Sequence, residues 1–320
     1  MISLDIMARA IVYTEIGSPD VLHLTEIPDP VADPGEVVVR IEAAGVNPID
    51  AKIRGGKRPS PPIDEPRRVG FDGAGVVEAL GEGVRSHDVG DRVAIRDTVG
   101  TYASHLVVPV ANLAALPDSV TAAEGAAIGV PAGTAYQSLK SLGVTAGDVL
   151  LVHGGSGSVG QFAVQFAVAW GATVIATASP ARHEQLRELG AIPLAYGEGL
   201  LDRVREAAPG GITVVLDCAG TDEAIDTSLA LVEDRERIAT IVRGPDAASF
   251  GIRAFSGGSP VPLDEQELAW RAEALPATIA LIASGDFTVD LGPELPLTEA
   301  AQAHELVETH AADGKIILAP

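Results

Sequence analysis

The sequence predicts an α/β protein in which a doubly wound parallel sheet is joined to a smaller, irregular β domain. Short β-rich runs separated by Pro, Gly and Asp occupy the first 123 residues, where helical periodicity is scarce. From about residue 124, apolar strand-like runs alternate with helical patterns, which is typical of βαβ units. A glycine-rich turn also stands between one of these strands and a helix. A chain of 320 residues accommodates two domains of roughly 100 to 200 residues each.

The elements follow in order along the chain. The β domain is predicted from RAIVYT (9–14), VVVRIE (37–42), AGVVEA (74–79) and DRVAI (91–95). The parallel sheet is predicted from VLLV (149–152), TVIATA (173–178), TVVLDCAG (213–220) and RIATIV (237–242). A helix follows residue 262, and the closing GKIILAP reads as a strand that returns to the first domain. We therefore expect one domain at 1–123, completed by about 262–320, and a second at 124–261.

Charge and cysteine content limit the partners and the compartment. Lys and Arg number 22 against 44 Asp and Glu, so the formal charge of −22 repels nucleic acid and acidic membrane surfaces. Cys218 is the single cysteine, which excludes an intrachain disulfide and any multi-cysteine zinc site. The first ten residues lack the features of a secretion signal, and Met7 is a candidate start. We expect a cytoplasmic protein without nucleic-acid or membrane partners.

The glycine-rich turn predicts a dinucleotide site. Gly155, Gly157 and Gly160 satisfy G-x-G-x-x-G between the strand VLLV and a helix with one apolar face. Gly155 permits the tight turn, Gly157 lets the backbone approach a pyrophosphate, and Gly160 lets helix and strand pack closely. The phosphates would lie at the helix N-terminus. The alternative is an ordinary glycine turn between a strand and a helix.

The end of the second strand of this unit predicts which dinucleotide binds. An Asp or Glu there would hold the ribose hydroxyl of NAD, but the sequence places Ser179 and Arg182 at that point. A hydroxyl and a guanidinium suit a 2′-phosphate, so NADPH is favoured. Alternatively, Ser179 caps the next helix and Arg182 is solvated.

The chain resembles the zinc-independent quinone oxidoreductases of the medium-chain dehydrogenase/reductase superfamily, which include zeta-crystallin. The resemblance covers nearly all of residues 7–320. Its motifs are RAIVYTEIGSPDVL (9–22), AAGVNPIDAKIRGG (43–56), GFDGAGVV (70–77), GDRVA (90–94), GVPAGTAYQSL (129–139), VHGGSGSVG (152–160) and GKIIL (314–318). It implies a GroES-like β-barrel domain, a Rossmann domain and a cleft between them that holds NADPH.

The resemblance also implies that no catalytic zinc is bound. At the positions of the zinc ligands of related alcohol dehydrogenases stand Asn47, Phe71 with Asp72, and Val130 or Pro131. The seven histidines show no metal-ligand spacing. Without a metal to stabilise an alkoxide, reduction of an electron-poor acceptor is expected rather than alcohol oxidation.

The resemblance assigns roles to individual residues. Asn47 is expected to orient or polarise substrate as the catalytic residue, although a turn-capping role is the alternative. Lys52 would lie near the cofactor phosphates, unless it is a solvated surface residue. The remaining expected cofactor-binding residues are Thr134, Ser156, Ser158, Val159, Tyr196, Val242, Phe255 and Ser256, in addition to the glycines, Ser179 and Arg182. Simple core packing is the alternative for Tyr136, beside Thr134, and for Val242.

One segment departs from the family pattern, and a second is expected to determine acceptor specificity. Charged residues fill 233–237, in a loop expected beside the cofactor. The Pro-rich loop 55–66 is expected to line the acceptor.

Together these features predict hydride transfer from NADPH to a quinone. An enone or enoyl reductase and a non-catalytic NADPH-binding protein are the alternatives. A homodimer formed through the strand near 250–255 is expected from the resemblance.

Overall fold

The computed structural model describes residues 7–58, 60–255, 259 and 261–320. Turns that contain glycine and proline separate the strands and helices of these residues. The strands are β1 Ala8–Tyr13, β2 His23–Ile27, β3 Glu36–Gly45, β4 Arg67–Arg68, β5 Asp72–Leu80, β6 Arg92–Ile95, β7 His105–Pro109, β8 Leu113–Ala115, β9 Val149–His153, β10 Thr173–Ala178, β11 Ile192–Ala195, β12 Val214–Asp217, β13 Ile238–Thr240, β14 Arg253–Ala254, β15 Leu291–Pro296 and β16 Lys315–Ala319. The α-helices are α1 Pro48–Arg54, α2 Ala122–Ala126, α3 Gly129–Ser141, α4 Ser158–Ala169, α5 His183–Glu188, α6 Leu200–Ala207, α7 Asp222–Leu231, α8 Ala247–Phe250, α9 Glu265–Ala283 and α10 Ala300–Thr309. Short 3₁₀ helices occur at Pro19–Val21, Val110–Asn112, Pro180–Arg182, Arg235–Arg237 and Leu297–Glu299.

The chain divides into two units. The first contains the residues through Val130 together with Leu275–Pro320, and the second is Pro131–Ala274. The predicted domain boundary 123/124 lies before the first junction, and the predicted boundary 261/262 lies before the second. Both boundaries stay predictions.

Strand β3 organises the first unit. Its valines are β-branched and suit the pleated surface of a sheet. The strand pairs antiparallel with β5, β7 and β16. The larger sheet has the order β15-β16-β3-β5-β6-β8, and β2-β1-β4 form a smaller one. Val37 of β3 and Leu318 of β16 are both fully buried in one apolar core. The predicted return of the final strand to the first domain is therefore confirmed.

The second unit contains the predicted doubly wound sheet. All of its strands pair in parallel, in the order β11-β10-β9-β12-β13-β14. Numbered from β9, this is the order 3-2-1-4-5-6 of dinucleotide-binding sheets, whose direction of winding reverses between β9 and β12. Strands in such sheets are continuously apolar because both faces are covered, and Leu151, Ile175 and Val215 are fully buried.

Helix α4 is more buried than its sequence pattern predicts. The predicted apolar face includes Phe162 and Phe166, which are 3% and 1% exposed. Gln161 and Gln165, outside that face, are also buried, at 6% exposure each. Apolar periodicity identified one contact face, but the helix is covered on more than that face.

The longest described helix is α9, with 19 residues. It begins with acidic residues and contains Pro276. None of the described helices combines the length and the apolar character needed to cross a bilayer.

Candidate functional site

The glycine-rich turn joins the end of β9 to the start of α4 in the second unit. Gly154 has a φ of +73°, in the left-handed region that glycine adopts without strain. The residue with left-handed backbone in this turn is thus Gly154. The sequence pattern predicted that Gly155 would permit the tight turn. A side chain at Gly155 would instead lie 2.7 Å from Cβ of Ala176 in β10.

Gly160 allows the close packing that its position in the motif predicts. A Cβ there would lie 2.3 Å from the carbonyl oxygen of Gly154 and 2.8 Å from Cα of Gly155. Both contacts are with backbone, which cannot rotate away. The first turn of α4 can therefore lie against the glycine-rich turn only while this residue lacks a side chain.

The N-terminus of α4 fits the pyrophosphate of a dinucleotide. A Cβ on Gly157 would have only the Gly154 oxygen near it, at 3.6 Å, and Gly157 itself is exposed. The first N–H groups of a helix, here those of Ser158, Val159 and Gly160, have no carbonyl acceptor within the helix. These donors and the helix dipole suit an anion. The carbonyl of Ser156 accepts a hydrogen bond of 2.8 Å from Gln161 Nε2, which fixes the turn.

The other predicted cofactor residues of this unit follow the carboxyl ends of parallel strands. Ser179 and Arg182 come after β10, Tyr196 after β11, Val242 after β13 and Phe255 after β14. Carboxyl ends of parallel strands lie at one edge of a sheet, where α/β proteins bind their ligands. The topology therefore places these residues along the same edge as the glycine-rich turn.

The surroundings of these residues differ. Ser179 precedes the 3₁₀ helix Pro180–Arg182, but its hydroxyl makes no capping hydrogen bond. Tyr196 is 61% exposed, whereas Phe255 is only 3% exposed and lies under the guanidinium of Arg253 at 4.7 Å. Ser256 lies outside the described residues.

Thr134 and Tyr136 both lie on α3 and are both buried. Thr134 Oγ1 accepts a 2.8 Å hydrogen bond from Arg271. The Tyr136 hydroxyl donates to Glu273 at 2.7 Å, and its ring packs edge-to-face on Phe166. Tyr136 therefore has the core-packing role that the sequence left as its alternative.

The charged run 233–237 lies at the opposite edge of the sheet from the glycine-rich turn. It precedes β13, which runs parallel to β12, so it approaches the amino ends of the strands. Arg237 pairs there with Asp148 at 2.5 Å. The expectation that this loop lies beside the cofactor is wrong, because a loop entering a parallel strand and a loop leaving it are at opposite edges.

In the first unit, Asn47 belongs to a buried polar cluster with Asp72 and Lys315. The Lys315 ammonium donates to Asn47 Oδ1 at 2.5 Å and to Asp72 Oδ2 at 3.0 Å. Asn47 Nδ2 donates to the same Asp72 oxygen at 2.9 Å and, over 3.4 Å, to the Gly45 carbonyl. The backbone N–H of Val130 donates to Asp72 Oδ1 at 2.7 Å. All three side chains are at most 4% exposed.

Asp50 and Tyr102 extend this cluster. Asp50 Oδ2 accepts from the Asn47 backbone N–H at 2.8 Å and from the Tyr102 hydroxyl at 3.0 Å, whereas its Oδ1 has no partner. Burial, aided by the nearby Asp72 carboxylate, raises the pKa of Asp50 to about 7, although the hydrogen bond from the Asn47 N–H lowers it. Burial and the Asp50 carboxylate raise the pKa of Tyr102 well above its usual range. Asp50 can hold a proton at neutral pH.

The buried cluster occupies the positions at which the resemblance placed the zinc ligands of related dehydrogenases. Asn47, Asp72 and Val130 meet there, and the cation between the two side chains is the Lys315 ammonium. Within the part of the chain that the structure describes, no group of three His, Cys, Asp or Glu residues could hold a metal ion. Lys315 was missed as a site residue. Its signal was a single lysine at the start of the otherwise apolar strand KIILA.

Lys52 lies on α1, one turn beyond Asn47, and is half-buried. It hydrogen-bonds with no described side chain in this cluster. Its proximity to cofactor phosphates stays a prediction.

Comparison with known proteins gives consistent matches along the chain. The family model described as "Alcohol dehydrogenase GroES-like domain" matches residues 33–118, and the one described as "Zinc-binding dehydrogenase" matches 158–257. A quinone oxidoreductase of Sus scrofa is 32% identical over 98% of both chains. One from Pseudomonas aeruginosa is 32% identical over 98% of this chain and 100% of its own. The crystal structure of Escherichia coli quinone oxidoreductase complexed with NADPH is 28% identical, covers 98% of this chain and 100% of that chain, and has a TM-score of 0.81.

Proposed function

Because the chain belongs to the quinone oxidoreductase family of the medium-chain dehydrogenase/reductase superfamily, we propose that it reduces quinones with NADPH. One observation carries this proposal. The glycine-rich turn, Ser179, Arg182 and Tyr196 follow the carboxyl ends of adjacent parallel strands, as a dinucleotide with a 2′-phosphate requires. The NADPH complex of the E. coli relative supports the choice of cofactor.

Bound NADPH supplies the hydride from C4 of its nicotinamide. The N–H groups at the start of α4 hold its pyrophosphate, and Gly157 leaves the space for the phosphates to approach. Arg182 and Ser179 bind the 2′-phosphate, whose negative charge matches a guanidinium and a hydroxyl donor. We place Thr134, Val242 and Phe255 around the nicotinamide.

The quinone receives the hydride with its two electrons, and a proton from solvent completes the hydroquinone. Negative charge develops on the acceptor oxygen, where a hydrogen-bond donor lowers the barrier. We propose Asn47 Nδ2 as that donor. Its bond to Asp72 is 2.9 Å but its contact with Gly45 is 3.4 Å, so the second hydrogen is only weakly held and can be shared with an acceptor oxygen. Lys315 holds the amide oxygen and thereby fixes the direction of both N–H bonds.

Acceptor and cofactor preference test the proposed function. Oxidation of NADPH and of NADH is followed by absorbance against ortho-quinones, para-quinones and simple enones. We expect quinone turnover with NADPH preferred. Turnover of enones alone would assign the chain to the enone reductases instead, and tight NADPH binding without turnover of any acceptor would mark a non-catalytic binding protein.

Gly157→Asp is the matched inactive control for this assay. The added Cβ meets only the Gly154 oxygen, at an ordinary contact distance of 3.6 Å, so the fold should persist, and the carboxylate repels the pyrophosphate. Quinone reduction that persists in this variant would come from another site and would contradict the proposal.

The proposal includes a homodimer in the cytoplasm. Strand β14 ends the parallel sheet and pairs with β13 alone among the described strands, so its other edge is open to a second copy. Light scattering of the purified protein tests the dimer. A monomer at micromolar concentration would overturn that part.

A further inference from the structure

Basic residues are concentrated in one short segment of this acidic chain. Six of its 22 Lys and Arg residues lie within 52–68, where only Asp64 and Glu65 are acidic. Lys52, Lys57 and Arg58, which we call the basic turn, lie on α1 and directly after it. The rest of the chain is correspondingly more acidic, so the basic turn is a local exception to its negative field.

The end of α1 turns the chain back on itself and brings these cations together. The N–H of Lys57 donates to the Lys52 carbonyl at 2.8 Å, and that of Gly56 donates to the Ile53 carbonyl at 3.1 Å. Gly56 has a φ of +69°, so the arrangement is a Schellman cap. The cap satisfies the final carbonyls of the helix through backbone N–H groups. The cationic side chains are therefore not required as caps.

The neighbouring arginines have protein partners, but the basic turn largely lacks them. Arg54 pairs with Glu308 at 2.8 Å, and Arg68 donates to the Gly100 carbonyl at 3.1 Å. Lys57 reaches a carboxylate, that of Glu308, only at 4.0 Å. Among the residues that the structure describes, the side chains of Lys52 and Arg58 have no hydrogen-bond or ion-pair partner, and Nε of Arg58 is buried.

Holding these three cations together without an anion is unfavourable. Burial lowers the pKa of Lys52, and the nearby charges of Arg58 and Lys57 lower it further. Burial also lowers the pKa of Arg58. A bound anion would compensate the desolvation and the mutual repulsion at once, because hydrogen bonds between charged groups are stronger than those between neutral ones.

We propose that the basic turn binds an anionic group of the acceptor, such as a carboxylate, sulfonate or phosphate, and that anionic acceptors are therefore preferred. This inference rests on the proposed function. The resemblance expects loop 55–66, which contains Lys57 and Arg58, to line the acceptor. The proposed function gives the cofactor phosphates their own donors in the second unit, at the start of α4 and at Arg182. The basic turn therefore replaces the expectation that Lys52 binds near those phosphates.

A matched pair of acceptors tests this preference. The specificity ratio is kcat/KM for the ring sulfonate of ortho-naphthoquinone divided by kcat/KM for ortho-naphthoquinone itself, at saturating NADPH. In Arg58→Met we expect this ratio to fall about tenfold relative to wild type, and in Lys57→Met by less, because Lys57 is 68% exposed. Comparing ratios between variants cancels the intrinsic reactivity of the two quinones. The wild-type ratio should also fall with added salt.

Arg205→Met is the control, because it removes one cation from an exposed face of the second unit and should leave the ratio unchanged. An equal fall in this control would show a general field effect and overturn the subsite. A rise in the KM for NADPH in Lys52→Met and Arg58→Met, with the ratio unchanged, would assign the basic turn to a cofactor phosphate and also overturn it.

Equilibrium binding separates failure of the subsite from failure of the proposed function. Calorimetry measures binding of the naphthoquinone sulfonate to the NADP⁺-saturated protein. Weaker binding in Arg58→Met supports the subsite even if no acceptor is turned over. The absence of turnover would then refute only the quinone reductase assignment. Equal affinity in wild type and Arg58→Met would overturn the subsite whatever the turnover.

Discussion

The two units build their polar sites in opposite ways. In the second unit the proposed site consists of the backbone N–H groups of three consecutive residues, 158–160, and of side chains that follow strand ends. In the first unit it consists of buried charged side chains, and Lys315 and Asn47 are 268 residues apart in sequence. The N–H groups of the first site need only a local motif, whereas the second site exists only once distant strands have paired. We expect the two sites to differ in what they contribute to stability and to binding.

The largest effect should follow from removing the buried ammonium. Lys315→Met leaves the Asp72 carboxylate buried without its cation, and we expect the free energy of unfolding to fall by about 3 to 5 kcal/mol. Urea unfolding measures this loss. Lys57→Met, which removes an exposed charge, should change stability by less than about 1 kcal/mol.

A double variant sharpens this result. Lys315→Met with Asp72→Asn removes both charges, so it should recover part of the stability lost in Lys315→Met alone. A double variant no more stable than the single one would show that the loss is due to packing rather than to the uncompensated carboxylate.

The next effect depends on pH. Because the pKa of Asp50 is raised from 3.8 to about 7 in the folded protein, the folded state binds this proton more tightly than the unfolded state. The contribution of Asp50 is therefore most favourable below pH 4 and is lost as pH rises to about 7. Asp50→Asn cannot ionise, so its stability relative to wild type should increase over that window by up to about 4 kcal/mol.

The measurement for Asp50 is the difference between wild type and variant in unfolding free energy at each pH. Burial lowers the pKa of His304 in the same unit to about 3, which gives a slope of the opposite sign. Taking the difference removes that contribution. A difference that does not vary with pH would contradict the protonation of Asp50.

A smaller effect distinguishes two glycines of the local motif. In Gly160→Ala the new Cβ meets backbone at 2.3 Å, and we expect a loss of about 1 to 3 kcal/mol in stability together with weaker NADPH binding. In Gly157→Ala the nearest atom is at 3.6 Å, so stability should be retained while NADPH binding weakens. Thermal unfolding measures the stability of each variant, and NADPH fluorescence titration measures its NADPH binding. Equal destabilisation by both would contradict this separation.

The smallest effect concerns cofactor choice. Arg182→Ala should lower the preference for NADPH over NADH, measured as a ratio of kcat/KM values, by about tenfold. Arg187→Ala is the control, because Arg187 is exposed and pairs with Glu184 at 2.8 Å. An unchanged ratio in Arg182→Ala would show that other groups select the 2′-phosphate.

The same contrast explains what could be predicted from sequence. The parallel sheet, the glycine-rich turn and the existence of a last strand follow from local patterns, namely apolar runs and Gly spacing. Burial of Gln161 and Gln165 did not, because helical periodicity describes only one contact face. The partnership of Lys315 with Asn47 and Asp72 did not either, because it depends on the pairing of β16 with β3.

The position of β16 in the sheet has a consequence for synthesis. The second unit, Pro131–Ala274, is continuous in sequence, so it can fold on the ribosome as soon as it has emerged. The first unit receives its Leu318 core residue and the Lys315 ammonium only when the last strand emerges. More than 200 residues are synthesised between the end of β3 and that strand. Until then Asp72 lacks its cation, and the end of β3 at Ala44 and Gly45 lacks the strand that pairs with it. The half of the protein made first is thus completed last.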